Sequence, residues 1–317
     1  MITLEFVNVL MGVMFAGIAL VNLLDRTSPR RYSKAAFWGI YGVTFLAGSY
    51  LPSFVTGLLV IGMVAIVAVR KLGPPPPERT TRVEREISAR RFGNWLFVPA
   101  LTIPAVALLG TFTLKYVRVG GVPLVDPKQV TLISLGLATV LALLTGIIIL
   151  RPRPSVPIVE ARRLMDAVSW AGVLPQMLAA LGAMFALAGV GPVVAHIIER
   201  VVPLTQPIVV VATYTVGMAL FTAIMGNAFA AFPVMTAGIG LPLIVHRFGG
   251  DVIIMSAVGM LSGFCGTLTT PMAANFNIVP AALLELPSEN DVIKVQIPTA
   301  IPLLIANTLI MYFTVFR

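Results

Sequence analysis

From Pro207 to Val245 the chain reads PIVVVATYTVGMALFTAIMGNAFAAFPVMTAGIGLPLIV, nearly forty residues without a charged side chain. A helix crosses the hydrocarbon core of a bilayer in about 20 residues, so this run is too long for one span. Near its middle stands Met225-Gly226-Asn227-Ala228-Phe229-Ala230-Ala231-Phe232-Pro233, where Gly and Pro interrupt a helical pattern. A second uncharged run, from Val252 to Leu284, is interrupted by the stretch from Cys265 to Asn277, which contains Gly266, Thr267, Thr269, Thr270, Pro271 and Asn275. The two runs echo each other: Val216-Gly217-Met218 precedes the first break and Val258-Gly259-Met260 the second. Backbone that leaves helical geometry at membrane depth must be buried in protein or line a wet cavity, because lipid cannot satisfy its polar groups.

Composition extends this reading to the whole chain. Only 11% of the 317 residues are charged and 58% are apolar, whereas soluble domains are about 25% charged. The mean hydropathy is +0.96. The apolar stretches predict an all-α integral membrane protein of about nine or ten segments, counted at about 20 residues per span. The expected spans are 2–24, 35–50, 53–69, 95–114, 130–150 and, after the amphipathic Glu160 to Asp166 run, 167–194, then the two broken stretches over about 207–247 and 252–286, and a last span over 297–316. Residues 1–164 read as an N-terminal helical bundle of scaffold type, and residues 165–317 as a transport-like region.

A net charge of +9 does not point to nucleic acid, because the cations sit in short loops. Those around Arg26 to Lys34, Arg70 to Arg91 and Arg151 to Arg163 hold 15 of the 22 Lys and Arg residues. Short basic loops stay cytoplasmic, which predicts an N-terminus on the outer face of a bacterial inner membrane. The loop around His196, Glu199 and Arg200 then falls outside. The first segment lacks a basic leader region and reads as a retained helix rather than a cleaved signal. Gly73 to Pro77 reads as a polyproline spacer.

Paired apolar segments broken by Gly and Pro point to the binding site of a transporter. Asn227, Thr267, Thr269, Thr270, Asn275 and Asn277 supply neutral donors and acceptors at the breaks, and Gly226 and Gly266 let backbone approach a solute. Small and polar residues also serve simply to pack membrane helices; their coincidence in two separate runs favours a site. His196 and His246 fall near span ends, as do Asp166, Asp251 and Glu285. A metal or haem role for the histidines has less support than interfacial placement. Pro175-Gln176 is expected to free a carbonyl inside the sixth span. Gly238-Ile239-Gly240 lacks the βαβ setting of a dinucleotide fingerprint, and the lone Cys265 reads as a small packing residue. With no Ser-His-Asp arrangement, metal-ligand spacing or P-loop, the chain is not expected to be an enzyme.

The runs Asp25 to Tyr32 followed by Phe37-Trp38-Gly39, Leu174 to Gly182, Met225 to Pro233, and Thr270 to Leu286 resemble a bacterial membrane-protein family filed as a domain of unknown function. The similarity covers almost the full length, with the stretch from Gly73 to Leu150 least distinct. That resemblance implies a gene beside one for a second, smaller membrane protein, often near pyroglutamyl peptidase genes. It thereby implies a two-component carrier for 5-oxoproline, assembled as a hetero-oligomer such as a dimer of heterodimers. The broken hairpins also resemble those of elevator-type carriers in the ion-transporter superfamily, which are longer than this chain. On these grounds the expected function is a secondary carrier subunit for a small organic anion. No resident cofactor is expected. Sodium is the expected coupling ion, because the broken runs offer oxygen ligands and no midplane carboxylate. A non-transporting scaffold subunit and a channel are the competing readings.

Overall fold

The computed structural model describes residues 1–70, 72–76, 80–273, 276–284, 286–288 and 290–317. The chain divides into two compact units, Met1–Asp166 and Ala167–Arg317.

The first unit begins with α1 (Leu4–Leu24), α2 (Arg31–Ala47) and α3 (Ser53–Arg70). Facing positions on α1 and α2 carry large aromatic rings. Phe15 stacks on Trp38 with centroids 5.4 Å apart and planes within 4°, and Tyr41 and Phe45 extend the stack. Such pairs add about 0.5–1.5 kcal/mol each beyond their burial. α4 (Arg82–Phe92) starts with a reciprocal cap between Thr81 and Glu84, which satisfies two of its orphan amide groups. α5 (Phe97–Thr113) and α6 (Val130–Leu150) are joined across a two-stranded ribbon, β1 (Arg118–Val119) and β2 (Val122–Pro123). The ribbon turns at Gly120-Gly121, both at positive φ. α7 (Val156–Val168) carries Arg162 and Asp166 on its buried face.

The second unit contains α8 (Leu174–Leu187), α9 (Val190–Val201), α10 (Pro207–Met225) and α11 (Ala228–Met235). From Thr236 to Arg247 the chain continues as a π-helix with Pro242 inside it; a proline without an N–H weakens the ordinary ladder and favours such irregular winding. α12 (Val252–Thr267), the short α13 (Ile278–Leu283) and α14 (Asp291–Val315) complete the unit. Its core gathers Tyr214 and Met218 of α10, Met235, Ile239 and Ile244 after the first break, Met255 of α12 and Met311 of α14.

Eight described helices are long and apolar enough to cross a membrane. α12, with 16 residues, is a further apolar helix below that length. Ser53–Arg70 is 6% buried over its apolar window and Val83–Tyr116 is 0% buried. Exposed apolar area of that extent is foreign to a water-facing monomer. The protein is a polytopic, all-helical membrane protein.

Three local expectations change. The sixth segment is not one continuous helix to Val194. A left-handed Gly189 separates α9 from the helical run Val156–Leu187, within which a 3-10 turn over Ser169–Val173 joins α7 to α8. Pro175 lies in the first turn of α8, where no intrahelical donor is needed, so it interrupts nothing. His196 and Arg200 sit one turn apart inside α9, with Arg200 Nη2 2.9 Å from His196 Nε2, rather than in a loop.

Candidate functional site

The first break is built by two adjacent residues with opposite backbone demands. Gly226 ends α10 in the left-handed region, φ +77°, with its N–H donating to the Thr222 carbonyl at 2.7 Å. Asn227 then turns extended, and its Oδ1 accepts from Phe229 N at 2.7 Å, capping α11. The break therefore joins one membrane-long helix, Pro207–Met225, to another, Ala228–Arg247.

The second break follows the end of α12. Thr267 Oγ1 donates to the Phe264 carbonyl at 2.6 Å and Thr269 Oγ1 to the Gly266 carbonyl at 2.8 Å. Thr270 Oγ1 accepts from Met272 N at 3.2 Å. Asn277 closes the turn, its Nδ2 donating to the carbonyls of Thr267 at 2.9 Å and Thr270 at 2.6 Å. Two carbonyl partners fix the orientation of that amide, which leaves Oδ1 as a buried acceptor without a partner. Asn275 lies outside the described residues.

The fold brings the two breaks together. A Cβ on Gly226 would stand 2.5 Å from the Met272 carbonyl oxygen, so the tip of the first break rests on the backbone of the second. Gly266 plays the same part between helices: a Cβ there would collide with the Ala219 carbonyl of α10. Gly226, Gly266, Thr267, Thr270 and Asn277 thus belong to one locality, reached by the mutual packing of α10 and α12.

The lining is polar but uncharged. Asn227 is 7% exposed, and its Nδ2 has no acceptor among the described residues. Thr222 Oγ1, which sequence reasoning missed, is a second buried oxygen without a partner; its place one turn before Gly226 was the available signal. Leaving a buried oxygen such as Thr222 Oγ1 or Asn277 Oδ1 unpaired costs about 1–3 kcal/mol, which a solute or ion could recover. The threonine hydroxyls of 267 and 269, by contrast, are spent on their own helix.

Two further sequence-named residues have structural roles. Asp251 caps α12, its Oδ1 accepting from Ile253 N and Ile254 N, both at 2.8 Å. Cys265 is buried, its Sγ 3.5 Å from Asn307 Nδ2. His246 closes the π-helix, and Glu285 is outside the described residues. Among the described residues no group of three or more His, Cys, Asp or Glu side chains could hold a metal.

The larger surprise is in the first unit. Lys34, Arg162 and Asp166 read from sequence as loop charges or span ends. The structure instead buries all three, at 3%, 4% and 3% exposure. Asp166 accepts from Lys34 Nζ at 3.0 Å, Trp38 Nε1 at 2.8 Å and Asn22 Nδ2 at 3.4 Å. Arg162 Nε donates to Asn22 Oδ1 at 2.9 Å, and its Nη2 to Asp25. Burying charge is costly unless each ion is paired and hydrogen-bonded, and this network supplies both conditions.

A family model described as protein of unknown function (DUF979) matches residues 5–316. The chain belongs to this family. No curated protein and no solved structure matches it. Membership in DUF979 therefore covers both units and both breaks, while the reading of the site rests on its own geometry.

Proposed function

We propose that this DUF979 protein is a subunit of a secondary active transporter for a small organic anion, with the two breaks of the second unit forming its substrate site. One observation carries the reading. Gly226 of the first break rests on Met272 of the second, in a locality where Asn227 Nδ2 and Asn277 Oδ1 are left without protein partners. A free amide donor suits a carboxylate oxygen, and the α11 N-terminus beside it adds a positive dipole end. Glycine at the contact allows backbone to approach the solute.

The finer assignments follow from chemistry and resemblance together. The substrate is 5-oxoproline, whose carboxylate and lactam would use the donor and the acceptor. Sodium is the coupling ion, since Asn277 Oδ1 and Thr222 Oγ1 are hard oxygen ligands and the uncharged runs hold no carboxylate to relay protons. The chain works with a second, smaller membrane subunit in a bacterial inner membrane, with the N-terminus outside, and the second unit moves in an elevator fashion.

The test is uptake of labelled 5-oxoproline into proteoliposomes containing this chain, the second subunit, or both. Sodium-dependent uptake only with both supports the reading. Uptake by the second subunit alone, unaltered by this chain, would overturn it. A scaffold reading also has an observation in its favour, because Asn227, Thr267 and Thr269 all make local hydrogen bonds that shape helix ends. It predicts that the pair transports while Asn227 variants that fold retain full affinity.

A further inference from the structure

Each break carries a phenylalanine beside its asparagine: Phe229 stands two residues after Asn227, and Phe276 immediately before Asn277. The fold joins these two rings through a third. Phe229 meets Phe264 of α12 edge to face, with centroids 6.2 Å apart and planes at 81°, and Phe264 meets Phe276 at 5.9 Å and 49°. An aromatic row therefore runs from the first break, across α12, to the second.

The row is fastened to the polar locality through its backbone. Phe229 N–H donates to Asn227 Oδ1 at 2.7 Å, and the Phe264 carbonyl accepts from Thr267 Oγ1 at 2.6 Å. Asn277, next to Phe276, is pinned on the carbonyls of Thr267 and Thr270. Packing does not use the rings up. Phe229 is 56% and Phe276 41% exposed, although more than half of the apolar window in Ala228–Arg247, the helical stretch that begins beside Phe229, is buried. Met272, on whose carbonyl Gly226 rests, is exposed between them in sequence. An edge-on contact leaves ring surface free to cover a further apolar group.

Charge is missing from the same segments. Neither Pro207–Val245 nor Val252–Leu284 contains a charged side chain. One carboxylate is met by Asn227 Nδ2 and the N-terminus of α11. A second on the same solute would find no cation on either run, and an unpaired ion is costly to desolvate.

We propose that Phe229, Phe264 and Phe276 set the specificity of the candidate substrate site, selecting an anion with one carboxylate on a compact non-polar body over a dicarboxylate. The carboxylate takes the asparagine side and the non-polar body lies against the rings. The inference rests on reading the two breaks as the substrate site and adds the residues that choose among anions.

The experiment is equilibrium dialysis of the purified full chain in detergent, with labelled 5-oxoproline and labelled cyclopentanecarboxylate as probes and unlabelled glutarate as competitor. Both probes are expected to bind, and glutarate to compete at least about 10-fold less well than unlabelled cyclopentanecarboxylate. Phe229→Leu and Phe276→Leu keep apolar volume and remove the ring, and each is expected to weaken probe binding about 2- to 10-fold. Phe112→Leu, an exposed ring of α5 in the first unit, should change nothing. Circular dichroism confirms that each variant is folded. Probe binding that glutarate displaces as well as cyclopentanecarboxylate does, or that both Leu variants retain in full because the rings face lipid, would overturn the proposal and leave the substrate site standing. Binding of neither probe to the wild type would remove the site itself, and the proposal with it.

Discussion

Replacing Asp166 by Ala removes the acceptor at the centre of the buried network in the first unit. Lys34 Nζ, 3.0 Å away, would lose its counter-ion and, among the described residues, Trp38 Nε1 its only acceptor and Asn22 Nδ2 one of two. Among the described residues Lys34 would retain only the Pro74 carbonyl. Breaking a buried pair by removing one partner costs about 3–5 kcal/mol, because the surviving charge stays desolvated. For a unit of this size that corresponds to a fall in melting temperature on the order of 10 °C. The comparison that isolates the cause is a double-mutant cycle with Lys34→Met. Removing both charges relieves the uncompensated ion, so the double variant should be more stable than the sum of the single losses predicts. Thermal unfolding of the purified protein in one detergent, followed by tryptophan fluorescence and circular dichroism, reads both quantities. An Asp166→Ala protein that melts with the wild type, or a double variant whose loss is additive, would refute the claim that this network holds α1, α2 and α7 together.

The remaining predictions concern the site, pH and the loops. Asn227→Ala should cost about 0.5–2 kcal/mol of stability through loss of the α11 cap, whereas Asn227→Asp keeps a capping oxygen and should weaken anion binding by charge repulsion. Normal affinity in a folded Asn227→Asp protein would favour the scaffold reading. The carboxyl of Asp25 is held well below the usual carboxylate range, first by its hydrogen bond from Thr27 and next by that from Arg162. A lowered native pKa stabilises the fold above the unfolded value of about 3.9 and ceases to do so as pH falls towards the native value. The gap in melting temperature between wild type and Asp25→Asn should therefore be constant above about pH 5 and close below about pH 4; a gap that widens with acid would contradict this. Single cysteines introduced as Ser28→Cys, Pro75→Cys and Arg153→Cys in a Cys265→Ser background should all label from the same side of the membrane, the cytoplasmic one. Labelling of any two from opposite sides would undo the positive-inside assignment.

How much of this was legible beforehand depended on whether the cause was local. The first break could be found from sequence because Gly226, at positive φ, acts through its own backbone, whereas Gly266 is required by its close approach to the Ala219 carbonyl. Asn227 stands at the first break, where its hydrogen bond to Phe229 N makes it a helix cap as well as a site candidate, and a neutral Asn at a break reads the same way for both. The loop charges were read one-sidedly. Counting cations in short loops treats Lys34 and Arg162 as equivalent to Arg26 or Arg151, whereas the fold buries the former pair. The sixth segment ends earlier than its apolar pattern suggests for a related reason: an isolated Gly in an apolar run reads as helix, and the positive φ of Gly189 is a property of the folded path.

By itself the sequence determined that the chain belongs in a bilayer, that it is helical, and that its last third contains two breaks. These follow from residue types and short-range periodicity, since the preference of apolar side chains for lipid and the conformational limits of Gly and Pro need no distant partner. The tertiary structure alone decided which polar groups meet. Asn22 and Asp166 are 144 positions apart yet 3.4 Å from each other, and Gly226 touches Met272 only because α10 and α12 pack side by side. A buried ion is tolerated only where its partner is delivered to it, and that delivery is a property of the chain's path through space.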